Sequence, residues 1–345
     1  MRKLLFVEGV RGACASYVFA THVGLAVMGL TGLAGLFFRF GQEAVMVFFI
    51  MSGFVIMVAT EAEKPSFQTY FQKRWIRIYP IFAVALIVTV LAGGKSGLWQ
   101  LIGNIFMLQD SSEKPGTIVP TFGGNAPMWS LSYEWWFYML FWPVYRWVPQ
   151  KWQTFLVTVS AALAWIAYTL SHFSPLLFIA YWPVWWAGAE IGRAYASGGK
   201  FPVRSVLSLG ILVALFFVPV AINVHQAITS GIGMHPILEF RHAADCLIIS
   251  GMIWTFWRKE IQTDNPAIRT AAWLGSISYA LYVFHFPIAT SALWGATPMP
   301  IRVAGSVVIV FVLAVMAEKY YQPMMRNAFR GAERRFASLR PEQAD

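Results

Sequence analysis

Arg11 and His22 lie in the first long apolar stretch of the chain, eleven residues apart. On an α-helix that separation is about 1100°, three turns and roughly 20° more, over about 16 Å of rise, so both side chains share one face. Such a helix sets a cation near one surface of a membrane and an imidazole toward the other. An ionisable group at that depth is costly and tends to be functional. Histidine titrates near neutrality, which suits general acid/base chemistry or a proton path. Two structural readings stand beside these: Arg11 snorkelling to the nearer surface, and His22 hydrogen-bonding a neighbouring helix.

Three further clusters could do chemistry. In Tyr70-Phe71-Gln72-Lys73-Arg74-Trp75-Ile76-Arg77, Arg74 and Arg77 are three apart and share a helical face. Their guanidinium forks suit phosphate, so with Arg11 they could rim an opening for a phosphorylated donor; the plain alternative is charge anchoring at the membrane surface. The run from Trp129 to Tyr138 carries Glu134 about 9 Å below the start of its apolar window at 128 by helical rise. A carboxylate there takes a proton, meets a cation or orients a histidine, while the flanking tryptophans and tyrosines form either an interfacial belt or a platform for a sugar. The segment from Gly275 to Pro287 brings Ser276, Ser278, Tyr279, Tyr282 and His285 together, and Pro287 frees a backbone carbonyl. Glu190, Arg193, His242, Asp245 and Glu318 are expected to pair between helices or at the interface. His172, His225 and His235 lack metal-ligand spacing, and no metal site is expected.

The elements positioning these residues belong to a membrane protein. Of 345 residues, 58% are hydrophobic and 12% charged, against about 25% charged in soluble domains. The net charge of +10 sits in short basic runs between apolar segments, which argues against nucleic acid as a partner. Cys14 and Cys246 both fall in apolar segments, so neither a disulfide framework nor a cysteine metal site is expected. Cys14 would lie about 80° off the His22 face and is a poor nucleophile candidate. Ten apolar windows are long enough to span, near 10–30, 41–59, 76–93, 128–145, 153–170, 177–193, 205–222, 240–257, 272–291 and 302–318. The fold expected is all-α, a polytopic bundle of about ten transmembrane helices. The basic start is read as the first span rather than a cleaved signal. Residues 98–109 read as an interfacial or re-entrant piece.

With the N-terminus inside, twenty lysines and arginines fall in inner segments, among them Arg258, Lys259, Arg334, Arg335 and Arg340. Five fall outside: Arg39, Lys95, Lys114, Arg241 and Arg302. That bias puts both termini in the cytoplasm. The tail, residues 321–345 beyond a membrane domain over 1–320, is basic and partly amphipathic and reads as an interfacial helix held by anionic lipid.

The ordered motifs resemble the acyltransferase 3 family of bacterial membrane acyltransferases, which decorate surface and secreted polysaccharides, lipopolysaccharide among them. Glu8-Gly9-Val10-Arg11-Gly12 followed by His22 is similar to that family's arginine, ten residues, histidine signature. Val47 to Phe54 is similar to its second-helix run, and Arg74-Trp75-Ile76-Arg77 to its paired arginines. Trp129-Ser130-Leu131 with Glu134 and Tyr138, Ile277-Ser278-Tyr279 through His285-Phe286-Pro287, and Glu318 with Pro323 follow in order along nearly the whole chain. Ala13-Cys14-Ala15 departs from the more usual bulky aliphatics, and no fused extracytoplasmic esterase-like domain is expected.

The resemblance implies an O-acyltransferase of the bacterial inner membrane. Its donor would be acyl-CoA, usually acetyl-CoA, reached from the cytoplasm. Its acceptor would be a sugar or glycolipid hydroxyl on the outer side, with polysaccharide-biosynthesis proteins as candidate partners. Arg11, Arg74 and Arg77 would then hold the donor, and His22 would act as general base. Glu134 would support His22 or hold the acceptor. Tyr133, Ser278, Tyr279 and His285 would bind the acceptor or support the developing oxyanion. A proton-coupled transporter or flippase using His22 and Glu134 as a relay is the main alternative, and a non-catalytic assembly scaffold a third.

Overall fold

The computed structural model describes residues 2–225, 233–257 and 265–338. Arg258, Lys259 and Arg340, counted above among the inner charges, lie outside the described residues. The chain folds as helices α1 (Arg2–His22), α2 (Gly32–Phe37), α3 (Gly41–Glu63), α4 (Phe67–Leu91), α5 (Leu98–Ile105), α6 (Trp129–Trp147), α7 (Gln150–Ser171) and α8 (Leu176–Ala180). These are followed by α9 (Trp182–Ala196), α10 (Val203–Ile222), α11 (Ile237–Phe256), α12 (Pro266–Gly275), α13 (Ser278–Ala289), α14 (Met299–Val315) and α15 (Gln322–Ser338). Among the described residues β-pairing is limited to one isolated bridge, Asp110 with Pro120. The protein is an all-α, polytopic membrane-helix bundle.

The expected ten spans are corrected to six. Only Leu5–Val27, Gly32–Glu63, Phe67–Leu91, Gln150–Ser171, Val203–Ile222 and Met299–Gly331 are both long and apolar enough to cross a membrane among the described residues. The windows at 128–145, 177–193, 240–257 and 272–291 form helices that fall short, for two physical reasons. Polar side chains interrupt α6 (Ser130, Ser132, Glu134) and α11 (Glu239, Arg241, His242, Asp245). The other two windows break, at Tyr181 between α8 and α9 and at Ser276-Ile277 between α12 and α13. Such helices are tolerated where protein rather than lipid surrounds them. Trp182, Trp185 and Trp186 of α9 and Tyr279, Val283 and Phe284 of α13 are indeed buried. Leu207 and Ile211 of α10 and Val308 and Val312 of α14, by contrast, are exposed apolar side chains of the kind that face lipid.

Small residues set the tightest crossings. A Cβ on Gly53 of α3 would lie 2.0 Å from the Trp185 carbonyl oxygen of α9, and one on Gly188 would lie 1.9 Å from that of Ile50. Gly12 of α1 meets the Ala271 carbonyl of α12 at 2.0 Å in the same sense, and Gly275 meets that of Glu8. With no side chain at these points the backbones approach closely, as membrane helices do where dispersion replaces a hydrophobic drive. The second crossing locks α1, and with it Arg11 and His22, against the broken pair α12–α13.

Two π-helical turns follow. Val23–Val27 continues α1 directly after His22, and Met316–Tyr321 joins α14 to α15 and holds Glu318. Wide turns of this kind re-aim side chains and concentrate at functional sites.

The long connection before α6 is ordered. Asn104 donates to the Pro120 carbonyl at 2.9 Å and accepts from the Phe122 amide at 3.0 Å. Deeper in, Lys114 and Asp110 form a fully buried ion pair at 3.0 Å. Tyr133 donates to Asp110 at 2.7 Å, and Lys114 donates to Tyr133 at 2.9 Å and stands 4.3 Å from the Trp129 ring centroid.

Candidate active site

A cavity of about 550 Å³ opens among α3, α4, α6, α13 and α15. One end is cationic, lined by Arg11, Lys73, Arg74, Arg77, Arg326 and Arg330. Its lining continues past Ser52, Glu134 and Tyr138 to Phe48, Ser130 and Tyr282.

These arginines are not equivalent. Arg11 pairs with Glu8 at 3.0 Å, one helical turn back, and Arg77 pairs with Glu318 at 2.6 Å. Lys73 pairs with Glu63. Arg74 forms no ion pair among the described residues: its guanidinium lies 5.7 Å from the Tyr70 and Tyr138 ring centroids, and its buried Nε has no hydrogen-bond partner. Arg326 and Arg330, four residues apart on α15, are exposed at the mouth and likewise form no ion pair among the described residues. The positive charge available to an anion is therefore concentrated on Arg74, Arg326 and Arg330.

Glu134 is positioned by its neighbours in the cavity wall. Ser52 of α3 donates to its Oε1 at 2.8 Å, and the Tyr138 hydroxyl, one turn along α6, also donates to it. Trp185 donates in turn to the Ser52 oxygen at 3.2 Å. Glu134 thus addresses the cavity through Ser52 and Tyr138. His22 has different partners.

Those partners define its tautomer. His285 Nδ1 lies 3.2 Å from the Leu281 carbonyl oxygen, which can only accept, so in the neutral ring the proton sits on Nδ1. His285 Nε2 then presents a lone pair, and it lies 2.9 Å from His22 Nδ1. His22 Nδ1 must carry the hydrogen, shared with the Val18 carbonyl at 3.0 Å. What remains is the lone pair on His22 Nε2. His285 is fully buried and His22 half-buried, so His22 is the accessible member of the pair.

Pro287 supports this arrangement. It has no N–H for the Val283 carbonyl one turn back, and Asn125 of the connection before α6 donates to that carbonyl instead, at 3.0 Å. The ordered loop is thereby tied to the helix that carries His285.

The sequence-predicted residues fall into three places. Arg11, Arg74, Arg77, Glu134, Ser278 and Tyr279 line one cavity. Ser278 opens α13 there with a buried hydroxyl that has no hydrogen-bond partner among the described residues, and Tyr279 donates to the Ile78 carbonyl at 3.0 Å. His22 and His285 form a pair beyond the cavity's inner end; the His285 ring centroid is 6.0 Å from that of Tyr282, which lines it. Tyr133 is not brought to the cavity. It precedes Glu134 by one residue, which turns it about 100° away, and its hydroxyl is engaged by Asp110 and Lys114. Sequence reasoning gave Ser52 no part in the site and placed Arg326 and Arg330 in a lipid-held tail; a lone hydroxyl beside Gly53 in an apolar run was the available signal for the first. Of the remaining polar groups, Arg193 pairs with Glu61 of α3, Gln153 of α7 and, within α9, Glu190; His242 meets Tyr181, and Arg241 pairs with Glu43.

A family model described as an acyltransferase domain matches residues 4–318. The chain belongs to the acyltransferase 3 family. Acyltransferase MdmB of Streptomyces mycarofaciens is 26% identical over 324 residues, covering 83% of this chain and 79% of that protein. No solved structure matches. Among the described residues no group of histidine, cysteine or carboxylate side chains could hold a metal ion.

Proposed function

We propose that this acyltransferase 3 protein moves an acyl group, acetyl in the simplest case, from acyl-CoA to a sugar hydroxyl of a surface or exported glycan. The observation that carries this reading is one cavity whose mouth holds arginines without ion-pair partners among the described residues, with a histidine pair just beyond its inner end. The donor's phosphates meet Arg74 and its neighbours, and the pantetheine arm runs inward past Ser52 and Glu134. The acceptor hydroxyl reaches His22 from the opposite side. His22 Nε2 takes the hydroxyl proton as the oxygen attacks the thioester carbonyl; the C–S bond breaks, and the proton passes to the departing sulfur. His285 holds His22 in the tautomer that keeps Nε2 free. The positive-inside bias supports a topology with the arginine mouth and both termini on the cytoplasmic side of a bacterial inner membrane.

The test supplies membrane vesicles, with the mouth facing outward, with acetyl-CoA labelled in the acetyl group. Label is expected to enter a non-protein envelope fraction with the wild-type chain and not with His22→Ala. Equal incorporation by both would remove His22 from the chemistry, and transport of an unmodified glycan with no incorporation would favour a flippase.

A further inference from the structure

The basic tail reads from sequence as a lipid anchor, yet the structure seats its first turns on the cavity. Three contacts dock α15 against α4. Glu318, in the π-helical turn that leads into it, pairs with Arg77 at 2.6 Å. Gln322 donates to the Ile76 carbonyl at 2.5 Å. Phe329 packs edge-on against Trp75, with centroids 5.0 Å apart. Arg326 and Arg330 are four residues apart, hence on one helical face, and that face lines the same cavity as Arg74.

The charge accounting gives them a task. Arg11, Lys73 and Arg77 already have carboxylate partners, whereas Arg326 and Arg330 have none among the described residues. An exposed guanidinium pair over a cavity mouth, on a helix fastened by other residues, is preorganised for phosphate. We propose that α15 is part of the donor site, with Arg326 and Arg330 gripping the outermost phosphates of the acyl donor while Glu318 fastens the helix through Arg77. This rests on the donor reading above and adds a specificity determinant to it: the tail distinguishes a nucleotide-bearing thioester from a bare acyl-pantetheine. Arg77 then serves mainly as the helix's anchor, and Arg74 meets phosphate deeper in the mouth.

An anionic lipid headgroup offers the same phosphate chemistry, so the experiment separates the two sources. Binding of acetyl-CoA and of S-acetylpantetheine is measured for the full chain in neutral detergent micelles, and again in nanodiscs with and without anionic lipid. For Arg326→Ala/Arg330→Ala, acetyl-CoA affinity is expected to fall at least tenfold in all three settings, with S-acetylpantetheine unchanged. Arg326→Lys/Arg330→Lys should restore most of the loss. Phe329→Ala, which undocks the helix while keeping both charges, should lower acetyl-CoA affinity in the same selective way. A loss that appears only with anionic lipid, or that is equal for both thioesters, overturns the proposal. Wild-type chain that binds S-acetylpantetheine as well as acetyl-CoA overturns it while leaving the thioester donor standing. Wild-type chain that binds neither removes the donor reading itself.

Discussion

The hydrogen bond from His22 to His285 is the residue-scale feature on which the proposed chemistry turns. If His285 acts by fixing a tautomer, its removal harms the chemical step and leaves donor binding alone. His285→Leu is expected to lower kcat about 100-fold with little change in the KM for acyl-CoA, a loss typical of a misdirected base. His285→Gln, whose amide oxygen can still accept from His22 Nδ1, should retain most activity. Steady-state kinetics in which His285→Leu matched wild type, or in which KM alone rose, would contradict the tautomer argument. The individual residues were legible in the sequence because ionisable groups in apolar runs need a reason to be there. Their partners were not. Glu134 and His22 looked like a natural pair on charge alone, and only the fold sends one to Ser52 and Tyr138 and the other to His285.

At the scale of elements, the bundle depends on two kinds of contact, close glycine crossings and buried polar pairs such as Lys114 with Asp110. Gly53→Ala would place a Cβ 2.0 Å from the Trp185 carbonyl, forcing α3 and α9 apart at a cost of about 1–3 kcal/mol or more. Gly210→Ala in α10 has open space around it and should be neutral or stabilising by about 0.5–1 kcal/mol. Thermal unfolding of both variants in one detergent checks the contrast; equal Tm values would show that the crossing is looser than described. Lys114→Met should cost about 3–5 kcal/mol, since it strands the Asp110 carboxylate in a site closed to water. Asp110→Asn/Lys114→Met should recover much of that loss. Failure of the double variant to improve on the single one would mean the ion pair is not the source of the cost. Helix positions were largely legible from apolar windows. Breaks at Tyr181 and at Ser276-Ile277 carried local signals, Pro183 in the first turn of α9 and Gly275-Ser276 at the end of α12, which a hydropathy window averages away.

For the whole molecule, α6, α9 and α13 sit inside while α10 and α14 expose apolar side chains, and ten hydrophobic windows yield six helices suited to cross a membrane by length and hydropathy among the described residues. Windowed hydropathy counts residues without knowing what will cover them; α6, α9 and α13 are covered by protein and can carry the groups a catalyst needs. The basic tail illustrates the same limit, since its composition suits a lipid surface and its docking suits the cavity. The proposed topology makes the molecule a relay, with the donor entering at the arginine end and the product leaving at the histidine end. The measurement that tests this most directly is mass spectrometry of envelope glycans and glycolipids from the native host carrying wild-type protein, a deletion, or His22→Ala. An added acyl mass is predicted on one species in the wild type alone, with both other strains lacking it. The same acyl mass in all three, or its persistence in His22→Ala at the wild-type level, would contradict acyl transfer through His22.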